Sequence, residues 1–397
     1  MKKICLSIVG LYIGLLNVYS QNTDTTAYKS RTLKLEEVNL VSSYYSQSGN
    51  NSAVQGGIGS EKLNDIANVL DVKFIRYDKR QRKHTLTGEV GVDHYTSASS
   101  DRIDLKANSS ASSSDTRVYP SASWSMENEA KGNTIGLNAS ASFEFDYTSV
   151  GLGAGFNKKS KDRNREMAIK VQAYIDRVSV ISPVELRTGG GRRDEDDYPT
   201  AARNSFSASL SYSQVINKRL QLSLIADIVK QQGLLSLPFH RVYFDNNALK
   251  AELLPSGRLK IPVGIRGSYF LGDHLILRAF YRYYRDDWGL SANTADLEAA
   301  YKITPFLSVT PFYRFYRQSA IDYFAPYGMH KASDAYYSSN YDLSEFSSHF
   351  FGAGFRIAPP KGVFGVQHWN MMEVRFGHYN RSTGLHSNII SLHLRYK

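Results

Sequence analysis

Ser387-Asn388-Ile389-Ile390-Ser391-Leu392-His393-Leu394-Arg395-Tyr396-Lys397 is the stretch that decides the fold class. From Ile390 onward, Ile390, Leu392, Leu394 and Tyr396 fall on one side of an extended chain, and Ser391, His393 and Arg395 on the other. A period of two marks a strand with one apolar and one polar face. The pattern recurs upstream. Ile135, Leu137, Ala139, Ala141, Phe143 and Phe145 alternate with Gly136, Asn138, Ser140, Ser142 and Glu144. Phe206, Ala208, Leu210 and Tyr212 alternate with serines, and Leu307, Val309, Tyr313 and Phe315 with Ser308, Thr310, Arg314 and Tyr316. A helix would need apolar residues at three-and-four spacing, which is absent here. Strands of soluble sheets average about five to six residues, whereas strands of membrane barrels hold about ten alternating residues. The expected fold is all-β: a transmembrane antiparallel barrel with apolar side chains toward lipid and polar ones toward an aqueous interior.

Strands are expected near 36–48, 69–79, 84–97, 117–128, 133–145, 147–157, 165–179, 204–216, 219–232, 257–271, 274–288, 292–304, 306–319, 347–358, 368–380 and 388–397. That makes about sixteen, an even number, as in bacterial single-chain barrels. Fourteen is the alternative, because segment 36–66 reads either as a first strand with its loop or as a plug. Short turns such as Ala130-Lys131-Gly132-Asn133, Ile216-Asn217-Lys218-Arg219, Leu271-Gly272-Asp273 and Thr304-Pro305 are expected at the periplasmic end. Long loops (98–116, 180–203, 233–256 and 320–346) are expected at the other.

The N-terminus reads as an export signal. Lys2 and Lys3 precede an apolar run from Ile4 to Leu16, and Val18-Tyr19-Ser20 offers a cleavage point before Gln21. The expected division is a signal peptide over 1–20, a periplasmic segment over 21–35 and the barrel over 36–397. Cys5, the single cysteine, falls in the signal. A mature chain without thiols excludes disulfides, zinc–thiolate sites, iron–sulfur clusters and cysteine nucleophiles. The net charge of +11 becomes 46 − 37 = +9 once Lys2 and Lys3 are removed. An exported barrel has little access to nucleic acid. The basic excess suits a basic lumen or a rim facing lipopolysaccharide.

Inward-facing charge is the most informative constellation. Alternation points Arg258, Lys260, Arg266, Arg278, Arg282, Arg314, Arg356, Arg375 and Arg395 into the lumen, with Glu298 and Glu373 on the same wall. In the N-terminal half it points Glu89, Asp93, Glu127, Glu144 and Asp176 inward, with Lys170 the exception. A basic wall opposite an acidic one would set a transverse field that orients dipolar solutes.

Other constellations carry less. Asp194-Glu195-Asp196-Asp197 matches no calcium-loop spacing and, beside Arg192 and Arg193, reads as a solvated tip. No histidine pair has metal-ligand spacing, and His378 and His393 read as interfacial and lumen residues. Tyr281, Tyr283, Tyr313, Phe315 and Tyr396 on outward faces, with Trp124, Trp288 and Trp369 near strand ends, read as aromatic girdles. No Gly-x-Ser-x-Gly elbow singles out a serine, so no enzyme and no cofactor is expected.

Several stretches resemble a family of uncharacterised Gram-negative outer-membrane barrels, a domain of unknown function spanning nearly the whole mature chain. They are Tyr44-Tyr45 with Ser52–Glu61, Gln214–Leu220, Pro238–Phe244, Tyr281–Asp287, Asp322–Tyr327 and Asn388–Leu392. The resemblance implies an outer-membrane barrel without an established substrate. It also implies an extracytosolic redox setting and a small lipoprotein or periplasmic protein as partner, besides outer-membrane lipid and lipopolysaccharide. The expected function is a porin-like channel for small polar or anionic solutes. The alternative is a structural barrel that scaffolds such a partner.

Overall fold

The alternating stretches form a ring of sixteen antiparallel strands, closed on itself. The structure, a computed structural model, describes residues 31–97, 114–187 and 198–397. The proposed signal peptide, the periplasmic segment before residue 31, most of the serine-rich run 109–114 and the acidic tip 194–197 lie outside the described residues.

The first strands are β1 (Lys34–Ser48), β2 (Leu63–Tyr77), β3 (Lys83–Ser97), β4 (Ser114–Asn128), β5 (Asn133–Phe143) and β6 (Tyr147–Lys159). Next come β7 (Arg165–Ser179), β8 (Thr200–Asn217) and β9 (Leu220–Gly233). A small hairpin, β10 (Arg241–Tyr243) and β11 (Leu249–Ala251), stands outside the ring. The wall resumes with β12 (Gly257–Leu271), β13 (Leu275–Asp286), β14 (Ser291–Thr304) and β15 (Leu307–Gln318). It ends with β16 (Phe346–Ile357), β17 (Trp369–Arg381) and β18 (His386–Tyr396).

Each strand pairs with its chain neighbour, β9 pairs with β12 past the hairpin, and β1 closes on β18. Closure runs from Val38 opposite Tyr396 to Ser48 opposite His386. Segment 36–48 is therefore a wall strand and not a plug. The second strand begins six residues earlier than alternation suggested, at Leu63, because Asp65, Ala67 and Val69 share the inward face and blur the polar pattern.

Tight turns close one end. Asn217 Oδ1 accepts from the backbone N–H of Arg219 (2.8 Å) and Leu220 (3.0 Å). Asp78 accepts from the N–H of Arg80 and Arg82 (2.8 and 3.0 Å). These are Asx-type turns, in which the side chain replaces a backbone acceptor. The opposite end carries the long connections, but strict alternation of length fails. The connections 144–146, 287–290 and 382–385 are also short at that end, while 358–368 is extended at the turn end. One cause is local. Asp286 Oδ1 accepts from the N–H of Trp288 and Leu290 (3.0 Å each), ending β13 in a tight turn where alternation ran on to 288.

The well-buried apolar residues sit mostly in loops, as expected when the strands' apolar faces meet lipid. Leu254, Trp288, Leu290, Ala292 and Ile321 form one cluster. Val242, Phe244 and Tyr337 form another. Trp288 is 3 % exposed and donates through Nε1 to Gly257 O (2.9 Å), so it anchors the loop core rather than a girdle.

Candidate functional site: the lumen and its capped chamber

Directly opposed residues in an antiparallel ladder share a face, so facing can be read around the ring. Arg278 opposes Glu298, Asp296 opposes Arg314, Ser308 opposes Arg356 and Arg356 opposes Glu373. Gly354 opposes Arg375, Arg395 opposes Asn39, and Asp71 opposes both Asn39 and Glu89. Two contacts identify the inner face. Arg375 Nη2 on β17 donates to Glu298 Oε2 on β14 (2.9 Å), reaching past β15 and β16. Asn138 Nδ2 on β5 donates to Gln172 Oε1 on β7 (3.0 Å), past β6. Only the concave side of a barrel brings non-neighbouring strands so close. Followed strand by strand, that face carries Arg258, Lys260, Arg266, Arg278, Arg282, Arg314, Arg356, Arg375 and Arg395. It also carries Glu89, Asp93, Glu127, Glu144, Asp176, Lys170, Glu298 and Glu373.

These charges do not sort into two opposed walls. Arg258 is bound to Asp286 (2.5 Å), Arg314 to Asp296 (2.8 Å), and both Arg278 and Arg375 to Glu298 (2.5 and 2.9 Å). On the other side Lys170 is not the exception. Arg117 meets Glu144 (3.3 Å), Lys159 meets Glu127 (3.2 Å), and Lys73 and Lys83 reach Glu37 and Glu36. An unpaired charge in a confined interior costs several kcal/mol, so inward charges on adjoining strands neutralise locally. Asp286 and Asp296 were legible by the parity that assigned Arg282 and Glu298. Which arginine each one meets depends on the strand that lies beside it, which parity does not give. Arg266, Arg282 and Arg356 have no carboxylate within ion-pair distance among the described residues.

Alternation also missed an aromatic band inside the lumen. Phe280 opposes Asp296, Phe312 opposes Glu298, and Phe350 opposes Arg314, so all three rings point inward. Phe312 and Phe350 lie 5.1 Å apart, and guanidinium groups stack on two members of the band, Arg266 on Phe280 (5.3 Å) and Arg375 on Phe312 (4.9 Å). The signal was there in adjacent aromatics, Phe312-Tyr313 and Phe350-Phe351, which must occupy both faces of a strand.

Two cavities follow this wall. The upper, about 620 Å³, is lined among others by Tyr45, Arg282, Tyr316, Phe350, Tyr379 and Arg381, with Glu61 and Asp342 contributed by loops. The lower, about 350 Å³, holds Asp296, Glu298, Phe312 and Arg375, and shares Arg314, Phe350 and Ile389 with the upper.

Loops cross the mouth above. β9 lies eight places from β1 in the ring of sixteen, directly opposite it. Arg241, in the loop after β9, nevertheless donates through Nη1 to Val54 O (2.8 Å), in the loop after β1. Its other nitrogens grip both carboxylate oxygens of Glu185, from the loop after β7. Gly56, at φ +80°, keeps the close approach open, since a Cβ there would come 2.7 Å from the Tyr243 ring. Beneath this latch the loops 234–256 and 319–345 pair through Leu253 and Tyr337. Buried Glu252 accepts from Leu237 N–H (2.8 Å) and Ser338 Oγ (2.5 Å) and faces His240 at 3.6 Å. Burial alone would raise the Glu252 pKa, but His240 and these donors hold it below the usual carboxylate range. Glu185 is held low by Arg241. At Glu61 burial prevails over the Asn51 N–H and Arg381, and its pKa is raised.

The chain is similar to several solved structures at 9–10 % identity. It is similar to OccK7 (OpdD) of Pseudomonas aeruginosa at 9 % identity and a TM-score of 0.46, covering 92 % of this chain and 98 % of that one. It is also similar to a mutant of the ferric enterobactin receptor PfeA of Pseudomonas aeruginosa (10 % identity, TM-score 0.45, 87 % of this chain and 53 % of that one). The siderophore receptor PirA of Acinetobacter baumannii is matched at 10 % identity and 0.45, over 88 % of this chain and 53 % of that one. The chain thus spans about half the length of the two receptors. No curated protein matches. The sequence profile described as "Protein of unknown function (DUF3570)" matches residues 79–383, well over half of the chain, and the chain belongs to that family.

Proposed function

We propose that the barrel spans the outer membrane of a Gram-negative bacterium and passes small polar, preferentially anionic solutes along the β13–β18 wall of its lumen. The observation that carries this reading is the pair of adjoining cavities on that wall, the upper lined by Arg282, which has no carboxylate partner among the described residues. An uncompensated guanidinium attracts anions and repels cations wherever the lumen is wet. The cap makes passage conditional on loop movement. Single-channel conductance of the purified barrel under a salt gradient tests the proposal. Steps with an anion-directed reversal potential are expected, and the triple variant Arg266→Glu, Arg282→Glu, Arg356→Glu should reverse the preference. An unchanged ion preference in that variant would exclude these arginines as the selectivity element.

The latch across the mouth favours one second reading. A barrel closed at one end by its own loops serves equally as a scaffold for a small lipoprotein or periplasmic partner bound at the turn end. That reading predicts a folded, non-conducting barrel, silent with the latch intact or removed, that co-purifies with a partner in stoichiometric amount.

A further inference from the structure

Arg381 poses a problem that the cap and the ion pairs leave open. Its side chain is 4 % exposed, yet only Nη1 has a hydrogen-bond partner, Asp342 Oδ1 at 2.6 Å. Among the described residues Nε and Nη2 have no hydrogen-bond acceptor, and Glu61 Oε1 stands off at 3.6 Å from Nη2. Nε–H and Nη2–H form one edge of the guanidinium plane, the parallel fork that matches the two oxygens of a carboxylate. Buried donors of this kind normally have partners. Arg381 lines the upper chamber.

The rest of the chamber constrains what the fork would hold. Arg282 lies on the same row as Arg381, through the opposed residues Thr294, Tyr316 and Ser348. It adds a positive charge without a carboxylate partner among the described residues. Between the two arginines the chamber offers ring faces and edges from Tyr316, Phe350 and Tyr379. Phe350 lies close over Gly377, where a Cβ would come 2.6 Å from the ring, so its position is set by the bare backbone beneath it. A cavity of about 620 Å³ suits a small organic molecule. Glu61 and Asp342 at the rim disfavour a dianion such as phosphate, because each added negative charge meets theirs at short range.

We propose that the upper chamber is a binding site for a small aromatic monocarboxylate, its carboxylate seated on the Nε–Nη2 edge of Arg381 and its ring against Phe350 and Tyr379. This deepens the solute-handling reading by naming a substrate class, but binding is measured apart from conduction. Glu61 is the internal competitor. Its carboxylate stands beside the unpartnered edge of the fork, and because Nε and Nη2 are shielded from solvent, an arriving carboxylate has to displace it and its weak 3.6 Å pairing.

The test is calorimetric titration of the full-length, detergent-folded barrel with benzoate, with benzyl alcohol and acetate as controls. Benzoate is expected to bind at least about tenfold more tightly than either control, since one lacks the charge and the other the ring. Arg381→Lys, which keeps the charge but removes the fork, should weaken benzoate about tenfold or more. Arg282→Gln should weaken it several-fold. Glu61→Gln should strengthen it several-fold by removing the competing charge. Arg282 makes no hydrogen bond or ion pair among the described residues, so that variant is expected to fold and stays informative if Arg381→Lys does not. Absence of benzoate binding, or equal affinity in wild type, Arg282→Gln and Glu61→Gln, overturns the site. A barrel that binds benzoate but never conducts overturns the channel and leaves the site standing; one that conducts without binding does the reverse.

Discussion

Asp286 concentrates more of the local structure than any other side chain at the mouth. Its carboxylate is fully buried and accepts from Arg258 Nε (2.8 Å) and Nη2 (2.5 Å) and from Tyr284 Oη (2.7 Å), besides two backbone donors that end β13. The Arg258 guanidinium in turn stacks on Trp288 (4.3 Å), which seats the apolar loop cluster. Replacing Asp286 by Ala strands a buried arginine and two N–H groups. The expected loss is about 3–5 kcal/mol, read as a lower denaturant midpoint for the detergent-folded protein. Asp286→Asn keeps the acceptor for the backbone and should lose less. Alternation alone assigned Trp288 to a girdle, because a tryptophan at a strand end looks the same from sequence whether it turns to lipid or into a loop. The side-chain capping by Asp286 makes that decision, and it is a contact between residues two apart that carries no periodic signal.

At the scale of elements, the loops behave as a second small structure built on the ring. The loops 234–256 and 319–345 share backbone bonds, a buried glutamate and two apolar clusters, and the Arg241 side chain ties them to the turn after β1. Arg241 is the bond that spans the mouth. Arg241→Ala should leave the barrel folded, raise conductance and expose 234–256 to protease; unchanged conductance and protection would mean that the latch does not gate. The pH dependence has a definite sign. The carboxyls of Glu185 and Glu252 are depressed in the folded protein, so their contribution is present above the ordinary glutamate pKa of about 4.3 and lost as pH falls through their lower folded values. Acidification below about pH 4 should therefore open the cap of the wild-type protein in the same assays. The loop sequences quoted for the family resemblance, Ser52–Glu61, Pro238–Phe244 and Asp322–Tyr327, are the segments that meet here. Their co-operation was invisible in sequence because the partners lie far apart along the chain.

For the whole molecule, closure is the governing fact. A ring leaves no strand edge with unpaired N–H and C=O groups, which hydrocarbon could not satisfy. Leu224 and Leu297 lie on the outer face and remain more than half exposed, at 55 % and 52 %, as a lipid-facing wall requires. Leu297→Arg should destabilise folding into bilayers by about 2–4 kcal/mol if it lies near the midplane. Ser209→Arg points inward opposite Asp227 and should cost little. Equal penalties in a bilayer-folding titration would contradict the facing assigned to both strands.

A barrel of about sixteen strands, most strand limits and the facing of the inward charges were legible in the sequence by itself, while pairing of β1 with β18 was needed to exclude the fourteen-strand alternative. The physical reason is that lipid on one side and polar groups on the other impose a period of two that is local and repeated. Ion-pair partners, the aromatic band, the capped mouth and the unpartnered edge of Arg381 were decided only by the tertiary structure. Each depends on which strands and loops become neighbours after the ring closes, as when Val54 meets Arg241 across the mouth or Glu298 meets Arg375 past two strands. Period two tells a residue which side it faces; only closure tells it what it faces.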